Sequence, residues 1–210
     1  MALANALATL LLTDAVRGSP HVVFVGSGGC DVSDRECETP ATPPWAVSAF
    51  SWAGPGSTFV PLANYSNKGA PSWVMAGRDE CFFATLETAN ATVSYARSGA
   101  KLTVRSVVPS GGAYPVCLAR AGQYLLVANY GQPYSTAHDA TVASFRVAED
   151  CSLSSSPVSS IPFHSHGPDP HRQANSHIHG VYAMQLDVRA STTDVFAVDL
   201  GGECMEPTTK

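Results

Sequence analysis

Between residues 164 and 180 the chain reads HSHGPDPHRQANSHIHG, a stretch that holds five of its seven histidines together with an arginine. Imidazole titrates near neutrality and can take or give a proton, whereas a guanidinium stays charged and offers a fork of donors to an anion or a polarised carbonyl. His177 and His179 stand two residues apart at the head of an apolar run, and side chains at i and i+2 of a strand share a face. On a strand they would project together, with Ile178 turned the other way. Arg172 and Gln173 sit in the approach to that strand, where Pro168 and Pro170 stiffen the chain and Gly167 permits a tight turn.

Metal site, acid–base cluster and polar surface turn are the competing readings of this stretch. His164, His166 and His171 lie in its Pro-rich part and are expected at the surface, as loop residues usually are. His177 and His179 have an alternative as satisfied polar groups at a strand start, and Arg172 as an anchor for backbone carbonyls. Two imidazoles and a carboxylate could begin a zinc or iron site, but the run continues Gly180-Val181-Tyr182 and supplies no further ligand. No metal and no cofactor is therefore expected.

The rest of the chain bounds what can be built around the cluster. At 210 residues, 45% hydrophobic and 14% charged, it is long enough to bury a core. Its 12 basic residues against 17 acidic ones, a formal charge of −5, provide no basic stripe for phosphates, so nucleic acid is not an expected partner. No run approaches the roughly 20 apolar residues that span a bilayer, so a membrane is not expected either. Residues 1–19 read as an N-terminal extension whose short apolar stretch has no Lys or Arg ahead of it, unlike a secretory signal. The expected location is cytoplasmic, with secretion as the alternative. Cys30, Cys37, Cys81, Cys117, Cys151 and Cys204 are scattered without a C-x-x-C and read as buried free thiols, although Cys30 and Cys37 are near enough to bridge in an oxidising compartment.

Repeats define the elements that must carry the cluster. Four apolar runs followed by turn signals, VVFVGSGG (22–29), CFFATLE (81–87), YLLVANYG (124–131) and DVFAVDLGG (194–202), have the pattern of buried strands. Alternating runs that end on or near an aromatic follow three of them, at 45–50, 91–97 and 140–147, and suit half-exposed strands. A third type, at 70–77, 113–120 and 177–184, precedes the buried runs. The same order recurs with a unit of roughly 45–60 residues, the range of a four-stranded propeller blade. No helical periodicity interrupts it, which disfavours parallel α/β folds; a β-sandwich is the structural competitor.

The ordered set LLVANYG (125–131), Gly167, Pro168, Arg172 and Gln173, His177 and His179, then Asp199, Leu200 and Gly201 resembles the seven-bladed β-propeller lactonase family, which includes 6-phosphogluconolactonases and carboxymuconate-cyclising enzymes. The resemblance implies an all-β propeller of four-stranded blades over residues 20–210, here about three blades and the start of a fourth. It implies a hydrolase that opens 6-phosphogluconolactone to 6-phosphogluconate in the pentose phosphate pathway. The alternatives are a muconate-cyclising isomerase of the same family and a non-catalytic binding module. Under the first reading the small-molecule substrate is a phosphorylated sugar lactone. His179 is the base, Arg172 meets the carbonyl oxygen or phosphate, and His177 completes the catalytic group. Gln173 and Asp199 would orient the base and sugar hydroxyls, and Asn129, at the repeat position of Asp199, would face the same channel. Seven blades need well over ~300 residues. Residues 1–210 alone are thus expected to expose edge strands, to aggregate and to have little activity.

Overall fold

In the computed structural model, residues 11–12, 20–27, 45–77, 79–131, 140–169, 173–185 and 192–200 are described. Their strands fall into sheets in chain order. The first sheet is β1 (Leu11–Leu12), β2 (His21–Ser27), β3 (Ala46–Trp52) and β4 (Val60–Ser66). A second comprises β5 (Val74–Ala76), β6 (Cys81–Leu86), β7 (Ala91–Ser98) and β8 (Lys101–Pro109). The third runs β9 (Pro115–Ala121), β10 (Tyr124–Asn129), β11 (Ala140–Arg146) and β12 (Ser159–Phe163), and β13 (Ile178–Met184) with β14 (Asp194–Asp199) makes a two-stranded fourth. Every pairing is antiparallel between chain neighbours. The first strands of successive sheets, β1, β5, β9 and β13, also approach one another in sequence. Sheets that converge along their first strands radiate from a common axis, as propeller blades do and stacked sheets do not. The chain forms three four-stranded blades and the inner half of a fourth, and β1 falls within residues 1–19, where an extension was expected.

Alternation of side chains along the second strands explains why these strands read as continuous apolar runs. Phe82 and Ala84 point into one cluster with Phe24, Val47 and Tyr95, between the first and second blades. Their neighbour Phe83 points the other way, to Leu118, Leu125, Val127 and Phe145 of the third blade. Leu126 and Ala128 in turn face Ile178 and Val181 of the fourth. A strand covered on both faces has no polar side to show, and all six residues of β6 are buried. The same pattern at 194–202 was expected to give a buried strand, but β14 is exposed along five of its six residues, including Phe196. Among the described residues it pairs only with β13, so neither face acquires the cover that β6 and β10 have.

Polar ties cross the seams where packing alone would let the blades slide. Tyr65 of β4 donates its hydroxyl to the carbonyl of Ala100 at 2.7 Å and accepts from the Leu102 N–H at 3.0 Å, joining the first blade to the second. Tyr95 is buried in that seam and donates to Asn67 Oδ1 at 2.7 Å. Desolvation outweighs this bond and pushes its phenol up to about 12. The cysteines also depart from expectation: Cys81 and Cys151 form a disulfide across the seam of the second and third blades instead of standing as free thiols. Cys117 is the buried free thiol that was expected, and burial raises its pKa. Cys30, Cys37 and Cys204 lie outside the described residues.

Gly26 marks the tightest approach of the first two blades, because a Cβ there would collide with the carbonyl oxygen of Pro71 and press on Val74 Cγ1 at 3.2 Å. Gly26→Ala should therefore separate the blades and cost about 1–3 kcal/mol of stability, read from the denaturant midpoint. Tyr95 supplies a pH-dependent counterpart. Its folded value lies above the ordinary 10, so its contribution is intact below pH 10 and is lost as pH rises toward 12. A Tyr95→Phe variant should show a shallower alkaline loss of thermal stability than the parent.

Candidate active site

The histidine cluster forms where the fourth blade's inner strand begins. His177 immediately precedes β13 and His179 lies within it, next to a register shift between Ile178 and Gly180. Ile178 turns into the core as its alternation requires, at 1% exposure. The two imidazoles then part company: His177 is 5% exposed, while His179 is open to solvent. They meet again on one aromatic ring. Tyr130, just past the end of β10, stacks on His177 with centroids 4.3 Å apart and planes 11° apart, and presents itself edgewise to His179 at 6.1 Å and 81°.

A carbonyl can only accept, so the 3.2 Å contact between His177 Nδ1 and the Tyr130 oxygen places a proton on Nδ1. In the neutral ring Nε2 is then the nitrogen with a lone pair. Tyr130 is itself held, its N–H donating to the Tyr114 carbonyl at 2.9 Å. The carboxylate expected beside the histidines is present, and it meets one backbone and one side-chain donor. Asp199 Oδ1 accepts from the His177 N–H at 2.7 Å and Oδ2 from the Ser165 hydroxyl at 2.9 Å. Ser165 also takes part in a 2.7 Å hydroxyl pair with buried Ser176, whose Oγ accepts the Ser165 N–H at the same distance. Asp199 thus fastens the loop before β13 to the end of β14.

Gln173 closes the approach loop. Its carbonyl accepts from the Gly167 N–H at 2.8 Å, its N–H donates to the Asp169 carbonyl at 2.7 Å, and its Oε1 accepts from the Asp169 N–H at 3.1 Å. The glycine at 167 answers a close approach, since a Cβ would lie 2.6 Å from the Gln173 side chain. Asn129 is fully buried, with Nδ2 donating to the Ser110 carbonyl at 3.1 Å and to Thr141 Oγ1 at 2.9 Å. His164 and His166 are exposed. Arg172 and His171 lie outside the described residues. The structure thus brings His177, His179 and Asp199 together with Tyr130, Ser165 and Ser176. Of the last three, Tyr130 could be suspected from its repeat position beside Asn129, but the serines carry no sequence signal. Among the described residues no group of three His, Cys, Asp or Glu side chains could hold a metal ion. A cleft of about 420 Å3, lined by Asp79, Cys81, Arg120, Gln123 and Glu149 among others, shares no residue with the cluster. It lies at the opposite end of β10, beside the turn that precedes that strand.

Antiparallel sheets that converge along their first strands define a β-propeller arc, with a polar cluster at the start of the inner strand β13. A sequence model described as "Lactonase, 7-bladed beta-propeller" matches residues 46–205, and the chain belongs to that family. Among solved structures, a Bacteroides uniformis protein provisionally named as a 6-phosphogluconolactonase is 24% identical with a TM-score of 0.68, covering 92% of this chain and 52% of that one. A similarly named Bacteroides fragilis protein is 18% identical with a TM-score of 0.63, over 90% of this chain and 48% of the other. The periplasmic gluconolactonase PpgL of Pseudomonas aeruginosa is 24% identical with a TM-score of 0.62, over 74% of this chain and 44% of its own. At these identities the likeness is one of fold, and the chain spans about half the length of these relatives. No curated protein matches it.

Removing the Asp199 carboxylate would leave the His177 N–H and the Ser165 hydroxyl without this acceptor. Asp199→Ala should cost about 1–3 kcal/mol in chemical denaturation. Asp199→Asn, which keeps one carbonyl oxygen to accept, should recover part of the loss.

Proposed function

We propose that the protein, in its full-length form, is a lactone hydrolase of the 6-phosphogluconolactonase type. The observation that carries this reading is the pairing of an exposed imidazole, His179, with a buried, backbone-fixed one, His177, on the ring of Tyr130. Family membership supports it. His179 takes a proton from water, which attacks the lactone carbonyl carbon. Charge develops on the carbonyl oxygen, and Arg172 from the approach loop meets it or holds the substrate phosphate. Collapse of the tetrahedral intermediate breaks the ring C–O bond, the proton passes to the departing alkoxide, and the product is an open-chain hydroxy acid. His177 is the second catalytic histidine, its ring held against Tyr130. Asp199 and Gln173 act as positioning residues, through the loop hydrogen bonds they make. Asn129 supports the same end of the channel from beneath, beside Tyr130.

The test is lactone opening by the full-length protein, with the spontaneous rate subtracted, on gluconolactone and its 6-phosphate. Acceleration of both, with the phosphorylated substrate preferred in kcat/KM, is expected. His179→Ala should lower kcat by about 10²–10⁴-fold. Arg172→Ala should lower kcat/KM by about 10²–10³-fold. Muconate cyclisation without lactone opening would replace the hydrolase with an isomerase. Turnover at the parent rate in both variants would remove this cluster from the chemistry.

A further inference from the structure

The seam between the second and third blades holds a covalent link that the proposed chemistry does not use. Cys81 opens β6 and Cys151 lies in the turn after β11, 70 residues later in sequence, with Cα atoms 5.3 Å apart. Each is 3% exposed, within a cluster that includes Phe83, Leu118, Phe145, Val147 and Leu153. Separate constraints bring the two together. Cys81 is fixed by its pairing with Ala96 and by the Gly77 N–H, which donates to its carbonyl at 2.6 Å. Cys151 is fixed by a closed turn: its N–H donates to the Ala148 carbonyl at 3.0 Å, and Asp150 Oδ1 accepts from both the N–H and the hydroxyl of Ser152.

That turn holds Cys151 at φ 72°, a left-handed backbone that a β-carbon disfavours and glycine adopts freely. A cysteine at such a position is accounted for by the bond it makes across the seam. Cys117 provides the contrast. It is equally buried in the third blade, its thiol directed to the carbonyls of Leu118 and Val181, and it stays reduced.

We infer that Cys81 and Cys151 are oxidised as the protein matures, and that it works in an oxidising compartment outside the cytosol. Cytosolic thiol systems keep such pairs reduced, whereas extracellular and periplasmic proteins retain them. Formation balances as thiol–disulfide exchange with a disulfide-bearing oxidant. One cysteine thiolate attacks the oxidant's disulfide and forms a mixed disulfide, and the second displaces the remaining oxidant thiol. The two cysteines together lose two protons and two electrons, and the oxidant leaves as two thiols. The cleft beside Cys81 gives an exchange partner a route to the seam. The inference does not depend on lactone hydrolysis.

The full-length protein is isolated from the cells that make it, with acid quenching and alkylation before digestion without reductant. The expected result is a Cys81 peptide joined to a Cys151 peptide, two hydrogens lighter than their sum, with Cys117 alkylated. Cys81 and Cys151 found singly alkylated would overturn the link, and recovery of the protein in the cytosolic fraction would overturn the compartment. Reductant should lower the thermal midpoint of the full-length protein by roughly 5–15 °C and shift a Cys81→Ala, Cys151→Ala double variant by less. An unchanged midpoint in the parent would count against the link even if the double variant fails to fold.

Discussion

The structure depends on how each inner strand is admitted to its blade. The residue just before β5, β9 or β13 has an N–H outside the ladder, and a polar side chain from a neighbouring strand end or turn accepts it. Before β5 the Trp73 N–H donates to Thr85 Oγ1 at 2.9 Å, and before β9 the Tyr114 N–H donates to Asn90 Oδ1 at 2.8 Å. Before β13 the His177 N–H donates to Asp199 Oδ1. An N–H taken out of water without an acceptor costs more than a formed bond returns, so the part-buried contacts before β5 and β13 fix where those strands start, and the exposed one before β9 adds a third tie. The inner strands then converge, and the loops before them come to one end of the axis.

In the fourth blade the clamp has a second consequence. Because the clamped residue is a histidine, the bond that seats the backbone also seats an imidazole, and Tyr130 receives its face. Asp199 carries the one charged acceptor of these three, and besides the His177 N–H it accepts from the Ser165 hydroxyl of the approach loop. Seating one histidine in the seam leaves the next, within the irregularity between Ile178 and Gly180, open to solvent. A buried ring of fixed orientation beside an exposed one is thus a product of strand register.

Between blades the organising constraint is alternation. Phe82 and Phe83 are neighbours in sequence and belong to different cores, one shared with the first blade and one with the third. The second strands β6 and β10 therefore each stitch two seams, and the disulfide reinforces the one that Phe83 fills. Exposed apolar side chains gather on outer and terminal strands, at Phe59, Val60 and Leu62, at Val104 and Val107, and at Val195, Phe196 and Val198. Tyr130, which meets the histidines, and the disulfide lie at opposite ends of the third blade, so the linkage can stiffen the arc without touching the histidines.

Much of this was written in local pattern. Continuous apolar runs marked the second strands, of which β6 and β10 are covered on both faces, and the recurrence of three strand types marked the blades; period-2 alternation is a property of the chain itself. His-x-His placement at a strand start likewise brought His177 and His179 to one neighbourhood. What the sequence could not hold were the relations between distant segments. That Cys81 meets Cys151, that Tyr130 lies under His177, that Asp199 accepts from the His177 backbone N–H, and that Phe196 remains uncovered all depend on which surfaces come to face each other. Those are decided by the packing of one blade on the next, and only the tertiary arrangement sets it.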